Sequence, residues 1–435
     1  MKMRSELDRA MQDIVLTEAR RQAILHGAAK KRPRFTRGAR IAAAAVCVML
    51  TASMLVMAST GLRAALMQAL GGLAPQSQAI SGVSTQAEGI EVRVVSALAD
   101  SSLTRVYCEV QDKAGDRLGG EMRIWGWVEG LPNDSGISSG GAKVISYDGD
   151  TRTALVELTA DGNHLTGDTP ATVSFSSFQA IQDIDGLPLP DGVLTAETRK
   201  TITLADGGKA LAPEQTPHAF VGTGLVRLSS IGFAEDGRLH VQVAFAGSAG
   251  NEQSYMITTV RSRSGKDFEA YNQDLTDASF VQDGTHYYDI AFSAGVQDVG
   301  DLVLDPLYGT LFTKPEVKGE WDLDVTIQIP EQITYATHTQ VGGAVVSQVR
   351  VSPISVFVMS DNDASILFGN RPAYAMLRDG TKLILTQNVV NASYSSSELN
   401  GDTVGHSYDQ WVFDEPIDPA DLVSINLDGV TVPLQ

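Results

Sequence analysis

The feature that most constrains this chain is a run of 22 residues without a charged side chain, from Ile41 to Leu62. As an α-helix rising about 1.5 Å per residue, it would be about 33 Å long, enough to cross the roughly 30 Å hydrocarbon core of a bilayer. The preceding segment, Lys30 to Arg40, has six basic side chains and no acidic one. Because basic flanks stay on the cytoplasmic side, the run predicts one membrane crossing with the N-terminus inside.

Two other interpretations of the run compete with a membrane anchor. A cleavable signal peptide could use Val56 and Ala58 at its cleavage site, but the charged region before the run is 40 residues long and the run exceeds the usual length of about 7–15. A buried core helix is compatible with the Ala-rich start at Ala42 to Ala45. Core helices rarely carry about 18 apolar residues beside a dense basic flank, so the anchor is favoured.

The run also divides the chain by charge. Residues 1–40 have 11 Lys and Arg and 4 Asp and Glu, a net charge of +7, and the whole chain has −19, so residues 41–435 carry −26. Such an acidic region argues against binding nucleic acid or anionic lipid. The two cysteines, Cys47 in the run and Cys108 in a predicted strand, are not expected to pair. An exported region without a disulfide is typical of many Gram-positive bacteria.

The segment from Ser5 to Gly27 predicts two short amphipathic helices. Their apolar positions are Leu7, Met11 and Ile14 in the first helix and Ala19, Ala23 and Ile24 in the second. A hairpin of about 25 residues cannot bury a core of its own, so this face needs a partner. A helix pair lying on anionic lipid and a docking segment for a cytoplasmic protein both fit this pattern.

Beyond the run, the pattern predicts a short helix and then a β-rich region. The stretch after Arg63 predicts a juxtamembrane helix ending near Gly71, followed by a polar linker. From Gly89 the apolar period changes to two, with Gly, Asp and Asn between the runs, which predicts antiparallel β-sandwich modules. The predicted divisions are a cytoplasmic tail at 1–40, a transmembrane helix at 41–62, a helix and linker at 63–86, and β modules at 87–205, 219–342 and 343–435.

Several local patterns give sharper expectations. Trp125 and Trp127 fall on the strand face opposite Met122, Ile124 and Val128. The clearest strand alternation runs from Trp321 to Ile329, in the predicted second module. Asp379-Gly380 and Asp428-Gly429 each predict a two-residue hairpin turn. The expected partners across these turns are Met376 with Leu383, Tyr374 with Leu385, and Ile425 with Val432.

The sequence offers little catalytic chemistry. GISSG at Gly136 to Gly140 matches a hydrolase pattern, but it follows a loop rather than a strand. The histidines show no zinc-binding spacing, and His286 is expected to be structural. Oxygen-rich segments around Asp148 and Asp361 could ligate calcium, but Asx turns are the simpler interpretation. We therefore predict no enzyme activity, cofactor or metal site.

The order of parts resembles a family of Firmicute single-pass membrane proteins with exported domains of unknown function. The resemblance lies in SELDRAMQDIVLTEARRQAIL, KKRPRFTRGAR, GIEVRVVSALADSSLTRVYCEV and FDEPIDPADLVSINLDGVTVPL. Genes of this family often lie beside extracytoplasmic-function sigma factors, and its members look like anti-sigma factors with immunoglobulin-like exported modules. The resemblance implies that Leu7, Met11, Ile14, Ala23 and Ile24 contact a sigma factor. Relatives often have a proline where this chain has Val15-Leu16, and the zinc motif of another anti-sigma class is absent.

These observations lead to two functional hypotheses. The first is a membrane-anchored regulator whose cytoplasmic tail docks a sigma factor and whose exported β modules sense a cell-wall component or peptide. The second is a cell-surface binding or scaffold protein in which the tail is only an anchor. An exported hydrolase would require a convergent catalytic site, which the sequence does not show.

Overall fold

The computed structural model describes residues 57–434 apart from 102, 132–139, 162–166, 206, 221–222, 248–253, 271–278, 362–371, 386 and 400–401. Within these residues the strands pair antiparallel and one short α-helix is present. This confirms the β-rich fold. No helix in this part of the chain is both long and apolar enough to span a membrane. The predicted tail and residues 41–56 of the predicted crossing lie outside the described residues.

A first β-sandwich-like unit is formed by two facing sheets. Its first sheet has the strand order β1-β3-β4-β7-β6, with β2 also paired to β3, and its second consists of β5, β8 and β21. The strands are β1 Gln78–Ala79, β2 Ser84–Ala87, β3 Ile90–Ala99, β4 Leu103–Asp112, β5 Met122–Glu129, β6 Gly140–Asp148, β7 Thr153–Asp161, β8 Gly167–Leu187 and β21 Val317–Ile329. Alternate side chains from both sheets fill the core between them.

Strand β21 does not belong to the module in which the sequence predicted it. Its alternation is confirmed, since Trp321, Leu323, Val325, Ile327 and Ile329 are buried and the residues between them are exposed or half-buried. The predicted second module contains this segment, but the strand pairs with β8 and packs in the first core. Its largest side chain also donates a hydrogen bond from Trp321 Nε1 to the Ile90 carbonyl at 3.0 Å.

The second unit has its own hydrophobic core. One sheet has the order β11-β12-β13-β18-β17, and β14 and β20 continue the sheet that contains β8. The strands are β9 Thr201–Thr203, β10 Lys209–Leu211, β11 His218–Ala219, β12 Val226–Phe233, β13 Arg238–Phe245, β14 Tyr255–Ile257, β15 Val260–Ser262, β16 Asp267–Phe268, β17 Ser279–Gln282, β18 Thr285–Gly295, β19 Leu302–Leu304 and β20 Leu307–Phe312.

The third unit packs the sheet β22-β23-β24-β28-β27 against the sheet β26-β25-β29-β30 around a third core. The strands are β22 Ile333–Val341, β23 Ala344–Val351, β24 Ser355–Asp361, β25 Ala373–Leu377, β26 Lys382–Ile384, β27 Gln387–Leu399, β28 Asp402–Val412, β29 Leu422–Leu427 and β30 Val430–Pro433. Short 3-10 helices lie at Gly71–Gln76, Val296–Asp298 and Pro419–Asp421.

Helix α1, Thr60–Leu70, begins inside the predicted membrane run. Ser59 is its N-cap, with an extended backbone (φ −147°, ψ 160°) and a side-chain oxygen that accepts a hydrogen bond from the Leu62 N–H at 3.2 Å. One helix from Ile41 through Leu62 is therefore wrong at its C-terminal end, because an extended residue interrupts an α-helix. The helix ends before Gly71, which confirms the predicted stop.

Helix α1 packs on protein. Leu62, Leu66 and Leu70 are buried, and the helix contacts β6 and β7 of the first sheet. The residues after it, predicted as a polar linker to about Gln86, contain β1 and β2, which both pair with β3. Helix α1 is thus packed on the first sheet, and the segment that follows it is hydrogen-bonded to the edge of that sheet.

The two predicted Asp-Gly turns, at Asp379-Gly380 and Asp428-Gly429, differ in loop length. At Asp428-Gly429 both residues have positive φ (50° and 85°), and Ile425 lies opposite Val432, as predicted. At Asp379-Gly380, Gly380 has a positive φ and Asp379 does not. The Leu377 N–H donates a hydrogen bond to the Thr381 carbonyl, which closes a three-residue loop. The predicted partners across that turn are therefore wrong by one residue: Met376 lies opposite Lys382 and Tyr374 opposite Ile384.

We expect two tryptophans of the first unit to differ sharply in their contribution to stability. Trp321→Ala should lower the free energy of unfolding by about 3–5 kcal/mol, because it leaves a cavity in the first core. The exposed Trp125 is the matched control, and Trp125→Ala should change stability by less than about 0.5 kcal/mol. Urea titration of the full-length chain followed by circular dichroism measures both. Equal losses for the two variants would contradict the sandwich packing.

Candidate functional site

The predicted docking residues, Leu7, Met11, Ile14, Ala23 and Ile24, lie outside the described residues, and so does most of the GISSG segment. Sigma-factor docking stays a prediction. Of the other residues that the sequence singled out, Cys108 is fully buried, and its burial raises the pKa of the thiol, which fits an apolar packing role. His286 is also buried and packs against Phe245, with the rings tilted and their centroids 5.3 Å apart.

The most distinctive surface is the outer face of the sheet formed by β5, β8 and β21. Strand β5 buries Met122 and Val128 in the first core and points Trp125 and Trp127 to the solvent. These indole side chains are 59% and 40% exposed. The predicted face opposite the core is therefore confirmed. Exposed tryptophans are uncommon, and adjacent ones mark a surface that another molecule covers.

Carboxylates and hydroxyls lie beside these rings. Ser174 Oγ donates to Asp322 Oδ1 at 2.8 Å, and Thr172 Oγ1 donates to Asp324 Oδ1 at 2.9 Å. The register aligns Trp127 with Ser174 and Asp322 in one row across the sheet, and Glu129 with Thr172 and Asp324 in the next. The Trp127 Nε1–H donates to Glu129 Oε1 at 2.5 Å, which holds the indole between the rows.

The β5–β8 and β8–β21 pairings are both irregular in the middle of this face, where a groove lies. The register shifts on β5 between Trp125 and Gly126 and on β21 between Lys318 and Trp321, at the same level of β8. Such bulges increase the local twist and redirect side chains. The resulting groove has a volume of about 530 Å³. Its lining residues are Trp127, Glu129, Thr172, Ser174, Phe175, Ser176, Glu320, Asp322 and Asp324.

Gly126, between the two tryptophans, lies too close to the core for a larger side chain. A Cβ atom at this position would lie 2.6 Å from the Phe175 ring, closer than real contacts. The glycine therefore lets β5 approach the core residue of β8 while the indoles on either side face outward. We call the surface made by Trp125, Trp127 and the groove the tryptophan face.

The tryptophan face has the chemistry of a binding site. Within the described residues, neither Glu320, Asp322 nor Asp324 forms an ion pair with a lysine or arginine, and the nearby Lys318 pairs with Glu316 at 3.2 Å. No group of three or more His, Cys, Asp or Glu side chains in the described part of the chain is arranged to hold a metal ion. The alternation of β21 could have revealed the carboxylates, since they occupy its outward positions.

A second groove, of about 310 Å³, lies beside β14 and β20. Ile257 and Tyr308 are exposed there, 49% and 41% respectively. Its charged groups are already paired, with Arg261 Nη2 bound to Asp305 Oδ1 at 2.7 Å. It therefore presents less unsatisfied chemistry than the tryptophan face.

The junction with the predicted membrane run is a third feature. Glu109 on β4 is 3% exposed, and its Oε1 accepts a hydrogen bond from the Ala58 N–H at 2.8 Å. Burial raises the pKa of Glu109, and the Ala58 N–H and the Arg93 charge oppose this shift. The pKa of Asp148 is lowered, first by the nearby Ser59 hydroxyl and next by the Thr151 N–H.

The oxygen-rich segment around Asp148, for which the sequence allowed a calcium site or an Asx turn, forms a turn. Its Oδ1 accepts hydrogen bonds from Asp150 N–H at 3.0 Å and Thr151 N–H at 3.1 Å, which is an Asx turn. The second such segment, after Asp361, lies outside the described residues.

A buried polar cluster stabilises the second unit. His240 Nδ1 lies 2.6 Å from Asp289 Oδ1, and Asp289 Oδ2 accepts hydrogen bonds from the Leu211 N–H at 2.9 Å and from Gln242 Nε2 at 3.0 Å. This cluster fixes β10, in the segment predicted as a linker, onto β13 and β18. Burial alone would lower the pKa of His240, but the hydrogen bond and charge of Asp289, with the charge of Asp236, raise it above its ordinary value.

Comparisons with known proteins add little. No family model matches the chain, and no curated protein matches it. Among solved structures, the crystal structure of the conserved domain protein from Bacillus anthracis aligns with 80% of this chain and 75% of its own, at 6% identity and a TM-score of 0.34. A similarity at this level carries no argument about fold or function.

We expect the stability of the second unit to decrease as pH rises. A raised folded-state pKa means that protonated His240 stabilises the fold fully below about pH 6.5, its unfolded value, and that this contribution is lost as pH rises through the folded pKa. His240→Gln should reduce the difference between urea midpoints at pH 5.5 and 8.5. The exposed His338 is the control, and His338→Gln should leave the difference unchanged. Equal pH dependence in all three proteins would refute the assignment.

Proposed function

We propose that this chain is a membrane-anchored regulator that resembles an anti-sigma factor. Its basic N-terminal tail lies in the cytoplasm and docks a sigma factor. The charge-free run that begins at Ile41 provides the membrane crossing. The immunoglobulin-like β-sandwich units outside bind an extracellular component through the tryptophan face.

The observation that carries this proposal is the short, packed junction after the run. Met57 is buried, Ala58 is hydrogen-bonded to Glu109, and Ser59 caps helix α1. A movement of the first sheet would therefore displace the membrane-proximal residues directly. A protein that only needs a tether has no use for such a connection, since a flexible linker would serve equally well.

The charge distribution supports the orientation. The tail has a net charge of +7 and everything after it −26. Basic segments are retained on the cytoplasmic side, and an acidic surface avoids the anionic membrane from which it emerges. On this orientation the tail covers a sigma-factor surface needed for polymerase, and the apolar residues Leu7, Met11 and Ile14 make the contact.

The second candidate is a cell-surface binding or scaffold protein. The tryptophan face favours it equally, because a binding face is needed whether or not a signal crosses the membrane. The two functions differ in the role of the tail. A scaffold would keep its activity when the tail is exchanged for another anchor, and a regulator would not.

Capture of a sigma factor tests the regulator directly. The full-length chain, solubilised in detergent after mild crosslinking in its own host, should co-purify with a sigma factor. Leu7→Asp and Met11→Asp should each abolish capture, because they place a charge on the predicted apolar face. Gln12→Asp, on the opposite side of the same predicted helix, is the matched control. If no sigma factor is captured by the unaltered chain, the regulator proposal fails.

The junction makes a separate prediction. Glu109→Ala removes a buried hydrogen-bond acceptor worth about 1–3 kcal/mol and should increase amide exchange in helix α1 by roughly tenfold or more. Glu235→Ala is the control, because Glu235 pairs with Lys209 in the second unit. Hydrogen–deuterium exchange with mass spectrometry of the full-length chain measures both. Unchanged exchange in Glu109→Ala would show that the junction does not hold the helix.

A further inference from the structure

The ligand class of the tryptophan face follows from what its surface repels and attracts. Four carboxylates, on Glu129, Glu320, Asp322 and Asp324, line one groove. Phosphates, nucleic acids and anionic lipids would bring further negative charge to these groups and are excluded by repulsion. The complementary ligand is a cation.

The aromatic surface has the same preference. A lysine ammonium or an arginine guanidinium is attracted to the face of an indole ring when it lies within about 6 Å of it. The exposed ring of Trp127 is fixed by its hydrogen bond to Glu129 and lies in the same row as Asp322. One basic side chain can therefore lie on the ring and direct its charge toward a carboxylate.

The spacing of the acidic rows fits an extended peptide. Trp127 and Glu129 are two residues apart on β5, as Asp322 and Asp324 are on β21, so the two rows are about 6.8 Å apart. Alternate side chains of an extended peptide have this same spacing. At the other end of the face, Arg123 lies 4.7 Å from the Phe312 ring centre and Lys318 pairs with Glu316, so basic groups limit the acidic part there.

We propose that the tryptophan face binds an extended cationic peptide with lysine or arginine at alternate positions. One basic side chain lies over Trp127 and reaches Asp322, and the next lies between Glu129 and Asp324. The hydroxyls of Thr172 and Ser174 hold the two aspartates in place. The inference rests on the proposed function only in assuming that this face is exported, where such a peptide would be met.

The test uses the full-length chain in neutral detergent and the blocked, fluorescent peptide Lys-Ser-Lys-Ser-Lys-Ser. Fluorescence anisotropy should show saturable binding that weakens steeply as salt is raised. Trp127→Ala and the double variant Asp322→Asn, Asp324→Asn should each weaken binding roughly tenfold or more. The control is Asp185→Asn, which removes one exposed carboxylate from β8 outside the groove and should not change binding.

Each other outcome overturns the proposal. Absence of binding at millimolar peptide would show that the face does not bind a cationic peptide. Equal loss in the control would show that the general acidity of the chain, and not the groove, attracts the peptide. Salt-independent binding of a neutral cell-wall oligosaccharide in place of the peptide would make the face a sugar platform. Circular dichroism of each variant establishes that it is folded. The result is independent of the sigma-factor experiment, since peptide binding without sigma capture overturns only the regulator.

Discussion

The structure depends on the continuous backbone pairing of strand β8. This strand of 21 residues, Gly167–Leu187, pairs with β21 and then β20 along one edge and with β5 along the other. Buried backbone groups must be paired, and in the first core β8 has a partner strand along both edges, from Thr172 to Phe178. In the second core β20 pairs with it from Ile181 to Leu187. Phe175 and Phe178 lie in the first core and Ile184 in the second. The first two units are therefore joined by one hydrogen-bonded strand that contributes to both cores.

The third unit is joined to the first by a buried carboxylate. Asp100, at the end of β3, is 1% exposed and accepts hydrogen bonds from the hydroxyls of Ser352 and Ser355 and from the Gln410 amide. It also accepts the Leu103 N–H at 2.9 Å. A buried charge is tolerated only when it is fully hydrogen-bonded, and here the donors come from both units. Separating the units would leave the carboxylate without these donors, so this contact favours one arrangement of the two.

Local patterning predicted the strands better than their partners. The outward tryptophans of β5 and the alternation of β21 could be predicted from the sequence, because each depends only on one strand having a buried and an exposed side. The sequence did not predict that β21 packs in the first core, because its partner strand β8 lies about 150 residues earlier in the chain. The same limit applies to turns: two identical Asp-Gly pairs gave a two-residue and a three-residue loop, since flanking packing decides the register. The acidic groove needed three strands in register, which one sequence does not reveal.

In the proposed regulator, a short route across one sandwich connects the tryptophan face to the junction at Ala58. Behind its outer residues, Trp321 of β21 packs in the core and bonds the Ile90 carbonyl of β3. Strand β3 pairs with β4, whose Glu109 holds Ala58 beside helix α1. A ligand can shift this assembly only if it binds two arrangements with different affinity. A packed core changes between discrete arrangements rather than deforming continuously. The junction at Ala58 is therefore where a change in the first sandwich would reach helix α1 and, in the proposed regulator, the membrane-crossing segment.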